Sequence, residues 1–523
     1  MGTRTPTTII ITQSKPEGFD MPDRPNILVI ETDSQDGRVL GCMGHPSMRG
    51  ADGTSLTPNL DALAERGMLF RQTYSNNPIC CPSRSSMVSG QYTHHCEGWN
   101  NYKGLEPDDE TYFDRLAGAG YRTQIFGKTD WLSGHHTIRA RVSPWTRSAW
   151  IMRPNYRMNP PHVEESNERR HHTRDWDDVE RASAWLGDEG TSGDAPFMLY
   201  LGIRQPHPAF RTTRYWYDRV DPDTIEIPRL GSVDEHPALK YQRVNKNWMH
   251  GTDEDTIRLV RRIYFAQIAE VDDMVGTVLG ALDEAGLREN TYVLFLSDHG
   301  EMAMEHGQFY KTSHFEPSAR VPLIIAGPNV QPGSATDALT TLVDIHPTLM
   351  DIAGAPQSEK ADGNSLLPEL RGEPSTRPNY ALSENHDSSL PTGSFMYRTD
   401  IDGVPWKLIQ LVGCDPMLFN LADDPGELTN LASARPDILK VLDDGLRSVV
   451  DYEAVDAKVK AYDRASFRQW REQRQAASDY GDLMSRVFSG WDDLEPGDIE
   501  EWTVAEEARI VRWMEGEEFG PVK

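Results

Sequence analysis

The sequence predicts an α/β fold: a large, mostly parallel sheet between helices, followed by a smaller C-terminal α+β domain that contains an antiparallel sheet. Short apolar runs that end in polar residues alternate with helical patterns, which is typical of a parallel sheet covered on both faces. Near residues 371–378 the composition changes to Gly, Glu, Pro and Ser, and shorter strand patterns follow. We expect a disordered leader over 1–22, a main domain over 23–375, a small domain over 376–465 and a helical acidic tail over 466–523.

The individual elements follow from local patterns along the chain. Thr57, Pro58 and Gly67 mark the start and end of one helix, and apolar residues at helical spacing predict a long helix over 255–285. The predicted strands are 26–33, 121–126, 196–202, 292–297 and 321–327, then 380–384, 394–398 and 406–412. The other predicted helices are 83–89, 112–119, one that begins near 343, and 436–452.

The overall charge argues against two classes of partner. The chain carries 81 acidic and 53 basic residues, for a net charge of −28, so we expect neither nucleic acid nor an anionic membrane surface as a partner. A local basic pocket can still bind a small anion. The tryptophans of the tail would either pack on the body or form a subunit contact, so a homo-oligomer stays open.

The cysteines and the N-terminal residues give an expectation about the cellular compartment of the protein. Five cysteines in 523 residues do not make a disulfide framework. No apolar window reaches the roughly 18 residues that a membrane span needs, and residues 1–20 lack the pattern of a signal peptide. The expectation from these observations is a cytoplasmic protein.

Residues 77–92 combine two adjacent cysteines with a predicted helix that begins near Ser83 and ends at Gly90. Free backbone N–H groups and the positive end of the helix dipole favour an anion at such a start, and the same environment activates a thiol. A cysteine pair by itself more often fills a core. Cys-x-Pro-Ser-Arg is much rarer than a cysteine pair, so this segment predicts a reactive site.

Two predicted strands end in residues that bind metals. Asp33 ends the first strand, and Asp298 and His299 follow the strand over 292–297. Open α/β sheets bind ligands at the carboxyl ends of their strands. Taken singly, Asp33 could cap a turn and His299 could be a core histidine; together with Cys80 they predict a site for a divalent cation.

The segment Cys80-Cys81-Pro82-Ser83-Arg84 resembles the maturation signature of the formylglycine-dependent sulfatases, a family of the alkaline phosphatase superfamily. Residues 362–368 and 418–431 resemble two further segments of that family. Additional runs resemble its glucuronate 2-sulfatases, namely 78–84, 97–105, 121–128, 133–136 and 297–306. The resemblance spans roughly residues 25–355 and implies a sulfuric ester hydrolase with a divalent metal and a formylglycine residue.

The resemblance also implies which residues form the reactive group. Cys80 is the cysteine to be converted to formylglycine, because Pro82 and Arg84 lie two and four residues beyond it, and a formylglycine-generating enzyme would be a partner during maturation. The hydrated aldehyde would attack the sulfur of a small anionic sulfated substrate and then release sulfate. The implied metal ligands are Asp33, Cys80, Asp298 and His299.

Three basic residues have implied roles in binding charge. Arg84 would hold the nucleophile and compensate its charge. Lys128 and Lys311 would bind the sulfate oxygens in a site that contains little water.

Several histidines are candidates for contact with the substrate. His207 and His236 would contact the substrate and protonate the leaving group, although each could equally be an ordinary turn histidine beside proline. His136, with His135 before it, is a further candidate for substrate binding.

The sequence departs from the family pattern at three places. Ser34 stands where many sulfatases carry a second aspartate, so one carboxylate is missing unless Gln35 or Asp36 replaces it. Lys128-Thr-Asp130 replaces the usual Lys-x-His. Asp298-His299 is shared with uronate 2-sulfatases, and also with phosphonate monoester hydrolases and phosphodiesterases. The resemblance to sulfatases implies Ca²⁺ as the first expectation, and because an imidazole softens the site, Mn²⁺ is the alternative.

Three functions are therefore weighed. The first is a sulfatase that acts on a 2-O-sulfated uronate or a related sugar. The second keeps the fold and the nucleophile but hydrolyses phosphonate monoesters or phosphodiesters. The third is a noncatalytic binding protein in which Cys80 stays a thiol.

Overall fold

A computed structural model describes residues 24–134, 143–151, 160–246, 248, 252–387, 390–476, 480–487 and 502–520. Its strands are β1 (Asn26–Asp33), β2 (Met68–Phe70), β3 (Thr73–Tyr74), β4 (Arg122–Gly127), β5 (His162–Glu164), β6 (Phe197–Pro206), β7 (Arg211–Thr213), β8 (Thr291–Ser297), β9 (Arg320–Val321), β10 (Leu323–Ala326), β11 (Ser334–Thr336), β12 (Thr340–Thr341), β13 (Tyr380–Asn385), β14 (Ser394–Ile401), β15 (Val404–Leu411) and β16 (Met417–Asn420).

The helices alternate with these strands over the first two thirds of the chain and dominate the end of it. They are α1 (Pro58–Arg66), α2 (Cys80–Ser89), α3 (Thr93–Cys96), α4 (Tyr112–Gly118), α5 (Ser143–Thr146), α6 (Thr173–Gly187), α7 (Arg214–Tyr217), α8 (Pro237–Lys246), α9 (Glu254–Glu284), α10 (Glu316–Ala319), α11 (Ile345–Ala353), α12 (Leu367–Leu370), α13 (Pro436–Val449), α14 (Tyr452–Arg474), α15 (Tyr480–Val487) and α16 (Val504–Met514). Within the described part of the chain, we find no helix with both the length and the apolar character needed to cross a bilayer.

The central sheet has seven strands in the order β11-β2-β10-β8-β1-β6-β4. β1 lies at its centre and pairs in parallel with β6 on one side and β8 on the other, and β4 pairs in parallel with β6. β10 runs in the opposite direction, because it pairs antiparallel with β8 and β2. The predicted fold class, a mostly parallel sheet with helices, is confirmed.

Alternation along β1 divides the hydrophobic core into two layers. Ile27 and Val29 pack into one cluster with side chains of α2, α4 and α11. Leu28 and Ile30 pack into a second cluster with side chains of α1, α6 and α9. Because successive side chains of a strand point to opposite faces, the sheet is covered by helices on both sides.

The same strand directions assemble the functional side chains. Asp33 ends β1 and Asp298 follows β8, while Lys128 follows β4 and His207 follows β6. Since these four strands are parallel, their carboxyl ends lie along one edge of the sheet, which is where such folds bind ligands.

Two of the differences from the sequence prediction involve a proline. Helix α2 begins at Cys80 instead of near Ser83, so Pro82 lies in its first turn, where the missing N–H removes no intrahelical bond. The predicted strand over 321–327 is divided at Pro322 into β9 and β10, which belong to different sheets. Proline cannot donate a hydrogen bond to a strand ladder, so the pairing changes there.

The C-terminal part contains a second, antiparallel sheet in the order β13-β14-β15-β16. Helix α13 covers it through Leu442 and Leu446, which pack with Phe395 and Leu408 of the sheet. The predicted antiparallel α+β part is therefore confirmed. The domain boundaries at 375 and 465 stay predictions, and helix α14 runs through residue 465.

The helical tail packs on the body of the protein. Trp470, Trp502 and Trp513 join a cluster with Trp145 from the segment 143–151. The indole N–H of Trp513 donates to Oγ of Ser148 at 2.7 Å. These tail tryptophans therefore contact the same chain, while Trp491 lies outside the described residues.

A close approach of β4 and β6 fixes the start of the loop that carries Lys128. A Cβ added at Gly202 would lie 1.9 Å from the carbonyl oxygen of Lys128, and one added at Gly127 would lie 2.0 Å from the carbonyl oxygen of Gly202. The N–H of Lys128 donates to the Gly202 carbonyl at 2.8 Å. Glycine at both positions is therefore needed to place Lys128.

We predict that Gly202→Ala destabilises the protein by about 1–3 kcal/mol, because the added methyl overpacks a backbone contact. It should also displace Lys128. Thermal unfolding measures the first effect and turnover the second. The matched control is Gly280→Ala in α9, where nothing lies within 4 Å of the added Cβ and alanine favours the helix by up to about 1 kcal/mol. Equal melting temperatures for the two variants would contradict the prediction.

Candidate active site

Asp33, Cys80, Asp298 and His299 form a buried cluster in which one ligand atom from each lies within 4.8 Å of the others. Sγ of Cys80 lies 3.2 Å from Nε2 of His299. That nitrogen lies 3.6 Å from Oδ1 of Asp33 and 3.6 Å from Oδ1 of Asp298. The four side chains are at most 1% exposed. The structure thus brings together the four predicted metal ligands.

The His299 ring is oriented by its second nitrogen. Nδ1 lies 2.9 Å from the Gly300 carbonyl oxygen, which can only accept, so Nδ1 carries a proton and Nε2 faces the cluster. Burial lowers the pKa of His299, but Asp298 and Cys80 outweigh burial and raise this pKa above its ordinary value. The cluster thus attracts positive charge, and a bound cation would take the place of a proton on Nε2.

The two carboxylates differ in their surroundings. Burial and Asp33 raise the pKa of Asp298. Burial also acts on Asp33, but Lys128 and Lys311 outweigh it and hold the Asp33 pKa well below its usual range. Two buried carboxylates beside an imidazole and a thiol match the donors that hold a divalent cation, so the residues fit the metal that the sequence predicts.

Helix α2 presents Cys80 as its first residue. The next N–H, of Cys81, donates to Oδ1 of Asn101 at 3.0 Å, and Oγ of Ser83 donates to the Asp298 carbonyl at 2.6 Å. Burial and Asp33 raise the pKa of the Cys80 thiol, but Lys128, Lys311 and His299 outweigh them and hold this pKa well below its ordinary value. Burial raises the pKa of the Cys81 thiol. The pKa values of the two adjacent cysteines are therefore shifted in opposite directions, and Cys80 is the more readily ionised thiol.

Arg84 is fully buried and binds Asp298 of the cluster together with groups next to the cluster. Its Nε donates to Oδ2 of Asp298 at 2.9 Å, and its NH1 donates to the Tyr200 hydroxyl at 2.7 Å. NH1 also lies 3.3 Å from Oε2 of Glu31, and NH2 donates to the Thr32 carbonyl at 3.2 Å. These contacts fix the orientation of Asp298 and supply a positive charge beside it. The expectation that Arg84 also holds the nucleophile stays a prediction.

Glu31 and Tyr200 were missed by sequence reasoning. Tyr200 donates to Glu31 and accepts from Arg84, and burial raises the pKa of Glu31 to about 7 against the effect of Arg84. A carboxylate inside an otherwise apolar strand, two residues before Asp33 and on the same face, was the available signal. Tyr200 gave no such signal, since a tyrosine suits a strand interior.

The predicted sulfate-binding residues lie next to the cluster. Lys128 forms an ion pair with Asp33 and lies 3.2 Å from Oδ2 of Asp130. Nζ of Lys311 lies 2.6 Å from Nε2 of His207, whose Nδ1 bonds to the Pro208 carbonyl. Burial and Lys311 lower the pKa of His207 to about 3. Because the Pro208 carbonyl can only accept, Nδ1 carries a proton, and Nε2 is then the acceptor that faces the Lys311 ammonium group.

His236 is not part of this assembly. His236 is tied to the backbone: its Nε2 lies 2.9 Å from the Asp415 carbonyl and its Nδ1 accepts from the N–H of Ala238 at 3.2 Å. It is not among the residues that line the cavity described below. His135 and His136 lie outside the described residues, so their predicted roles stay predictions.

Ser34, which stands where many sulfatases carry a second aspartate, forms hydrogen bonds with both carboxylates of the cluster. Oγ of Ser34 donates to Oδ1 of Asp33 at 2.9 Å, and its N–H donates to Oδ1 of Asp298 at 3.2 Å. Asp36 is held by Arg38 at 2.7 Å and does not join the cluster. Both amide atoms of Gln35 are buried, with no hydrogen-bond partner among the described residues. Asp36 therefore does not replace the missing carboxylate.

A cavity of about 530 Å³ borders the cluster through Asp33, Lys128 and Lys311. Its volume is that of a typical small-molecule site. Its wall is rich in basic groups, which are Lys128, His171, His172, Arg174, Arg204, His207, Arg211, Lys246 and Lys311. Sequence reasoning found three of these, because the others come from separate elements with no motif of their own. An acidic protein thus contains a cationic cavity.

Comparison with known families gives two matches. A sulfatase family model matches residues 25–355, and a model of the C-terminal part of N-sulphoglucosamine sulphohydrolase matches residues 304–449. Among curated relatives, arylsulfatase K of Bos taurus is 39% identical over 476 residues, which cover 86% of each chain. Arylsulfatase K of Homo sapiens is 38% identical over 473 residues, again 86% of each chain.

Solved structures show the same fold at lower identity. The phosphonate monoester hydrolase of Agrobacterium radiobacter superposes with a TM-score of 0.66 at 24% identity, covering 83% of this chain and 96% of that one. A 2-O GAG sulfatase superposes with a TM-score of 0.60 at 22% identity, covering 91% of this chain and 97% of that one. These structures support the alkaline-phosphatase-like architecture.

We predict that Arg84→Ala destabilises the protein by about 3–5 kcal/mol, because it leaves buried Glu31 and Asp298 without their compensating charge. Tyr200→Phe, which removes only the hydroxyl, should cost about 1–3 kcal/mol. Thermal unfolding in the absence of substrate measures both. The control is Arg66→Ala, which removes an exposed ion pair with Glu289 worth less than about 1 kcal/mol. An Arg84 variant no less stable than this control would refute the prediction.

Proposed function

The chain belongs to the sulfatase family and is a sulfuric ester hydrolase, and from that premise we propose that it removes sulfate from a 2-O-sulfated uronate or a related sugar. The observation that carries the proposal is the buried cluster around Cys80 at the wall of a cationic cavity. The whole chain has a net charge of −28. Local positive charge in such a chain is expected where a small anion binds, because the global field would repel that anion.

Two groups that the family implies would complete the site. Asp33, Asp298, His299 and residue 80 would hold a divalent cation, which supplies positive charge to lower the pKa of a hydroxyl and to polarise the sulfate. Formylglycine made from Cys80 supplies an aldehyde hydrate, with one hydroxyl for attack on sulfur and a second for the release of sulfate.

The residues of the chain itself bind and orient the substrate. Lys128 and Lys311 carry ammonium groups on the cavity wall beside Asp33, where they would bind sulfate oxygens and stabilise the charge that develops in the transition state. His207 donates through Nδ1 to Pro208, and its Nε2 accepts from Lys311. The neutral imidazole thus fixes the position of the Lys311 ammonium group. Since Lys311 donates and Nε2 of His207 accepts in this pair, Lys311 is the better placed of the two to protonate the leaving oxygen.

Separate observations bear on the identity of the sugar and of the metal. The resemblance of several segments to glucuronate 2-sulfatases favours a uronate, and one structure of similar fold is a 2-O GAG sulfatase. Oxygen donors from Asp33 and Asp298 favour Ca²⁺, while the imidazole of His299 also suits Mn²⁺. The same imidazole and the similarity in fold to a phosphonate monoester hydrolase keep phosphodiesters as the competing substrate.

We predict that purified enzyme hydrolyses an aryl sulfate at least about 100-fold faster, in kcat/KM, than the matched aryl phosphodiester, a difference of about 2.7 kcal/mol. Its preferred sugar should be a 2-O-sulfated uronate rather than a 6-O- or N-sulfated sugar. Steady-state kinetics on this panel measure both. A higher kcat/KM for the diester would replace the proposal by its competitor.

Residue 80 provides the control for that experiment. Cys80→Ala should lower turnover by about 10⁴-fold or more, as expected for loss of a covalent catalyst, whereas Cys81→Ala should not. Mass spectrometry of the peptide that contains residue 80 should show CHO in place of CH2–SH. An active enzyme with an unmodified thiol at position 80 would rule out the proposed nucleophile.

We predict that chelation of divalent metal by EDTA abolishes turnover and lowers the melting temperature, since a cation that binds only the folded state stabilises it by mass action. Ca²⁺ should restore both, and parallel titration with Mn²⁺ tests the alternative. Asp298→Asn should weaken the dependence of the melting temperature on metal concentration. A melting temperature that responds to neither chelation nor metal would exclude a structural cation at this cluster.

A further inference from the structure

The cavity wall carries two arginines that the proposed chemistry does not use. Arg174 is the second residue of helix α6 and Arg211 is the first residue of β7. Both line the cavity, and both are exposed. Within the described part of the chain, neither guanidinium has a hydrogen bond or an ion pair, so no described residue compensates either charge at the cavity wall.

Arg204, in the same cavity wall, has a structural role because it pairs with two carboxylates of the fold. Its NH1 lies 3.0 Å from Oδ1 of Asp175 and 2.9 Å from Oδ2 of Asp178. Its backbone N–H also donates to Asp175 at 3.0 Å. Its charge is therefore compensated within the fold, which separates it from Arg174 and Arg211.

The position of Arg174 has no explanation in the stability of α6. The first turn of a helix is the positive end of its dipole, where a cation is unfavourable by a few tenths of a kcal/mol or more. Asp175, the next residue, is buried and binds Arg204 and His172. It therefore does not compensate Arg174. A cation that costs helix stability and faces a ligand cavity is best explained by the ligand.

We propose that Arg174 and Arg211 bind a second anionic group of the substrate, separate from the sulfate ester that Lys128 and Lys311 bind. This inference rests on the proposed function and deepens it, because it assigns two residues of the cavity wall to the anion that the substrate carries besides the sulfate ester. A guanidinium matches a planar carboxylate with two parallel hydrogen bonds and also binds a sulfate. The second group is thus the carboxylate of the same ring or a sulfate on the next sugar.

The test compares substrates that differ in the second anion. An aryl sulfate has none, a 2-O-sulfated uronate has a carboxylate, and its methyl ester lacks that charge. A disaccharide that joins this methyl ester to a second sulfated sugar supplies the other source. The variants are Arg174→Ala, Arg211→Ala and the double variant. The matched control is Arg229→Ala, an exposed arginine that does not line the cavity.

The measured quantity is the kcat/KM for the doubly charged sugar divided by the kcat/KM for the aryl sulfate. The double variant should lower this ratio by about 10–100-fold, which corresponds to the loss of one or two charge-assisted hydrogen bonds. The loss should lie mainly in KM, since the contact is the same in ground and transition states. Loss of discrimination between the uronate and its methyl ester identifies the carboxylate. Loss of the preference for the second sulfate identifies the neighbouring sugar.

An unchanged ratio in the double variant would overturn the inference, as would an equal loss in the Arg229 control. Calorimetric titration of the uronate into Cys80→Ala protein, with and without the two arginine substitutions, gives the same comparison without turnover. If the enzyme prefers phosphodiesters, the proposed function fails, yet this titration still decides whether the two arginines bind a second anion. The two failures are therefore distinguishable.

Discussion

Asp33 and Asp298 are buried side by side, and this juxtaposition of like charges is the constraint on which the rest of the site depends. In a low-dielectric interior two carboxylates cannot both stay ionised without cations close to them. The fold supplies these cations: Arg84 forms an ion pair with Asp298, and Lys128 forms an ion pair with Asp33. The residual negative charge raises the pKa of His299. A divalent cation fits where this negative charge accumulates.

The parallel sheet is what makes that concentration of charge possible. Each residue of the cluster ends a strand, follows a strand or begins a helix at one edge of the sheet, so none of them interrupts the hydrophobic layers on either side of β1. The apolar strands supply rigidity, and the loops beyond them supply the chemistry. The close contact between Gly127 and Gly202 is an example, because a constraint between two strands sets the position of the lysine that follows them.

The sequence predicted the fold and the centre of the site well, and the periphery poorly, for physical reasons. Asp33 and Asp298 could be found because each follows a buried apolar run, and Cys80 because its motif is rare. The start of α2 was misplaced because Pro82 reads as a helix breaker, although the first turn tolerates it. Arg174 and Arg211 had no local signature, since tertiary structure alone brings α6 and β7 to the same cavity. His236 lay beside a proline in a suggestive pattern, but its ring binds backbone.

The burial of Cys80 has a consequence for how a population of this protein acquires activity. A side chain with no exposed surface at the start of a packed helix is out of reach of any modifying enzyme once the central sheet has closed. On the proposed chemistry, conversion and folding then compete for each newly made chain, and the outcome is permanent. The specific activity would therefore depend on the rate of folding relative to the rate of modification during synthesis. Two preparations of equal purity and stability would then differ in the fraction of molecules that carry formylglycine.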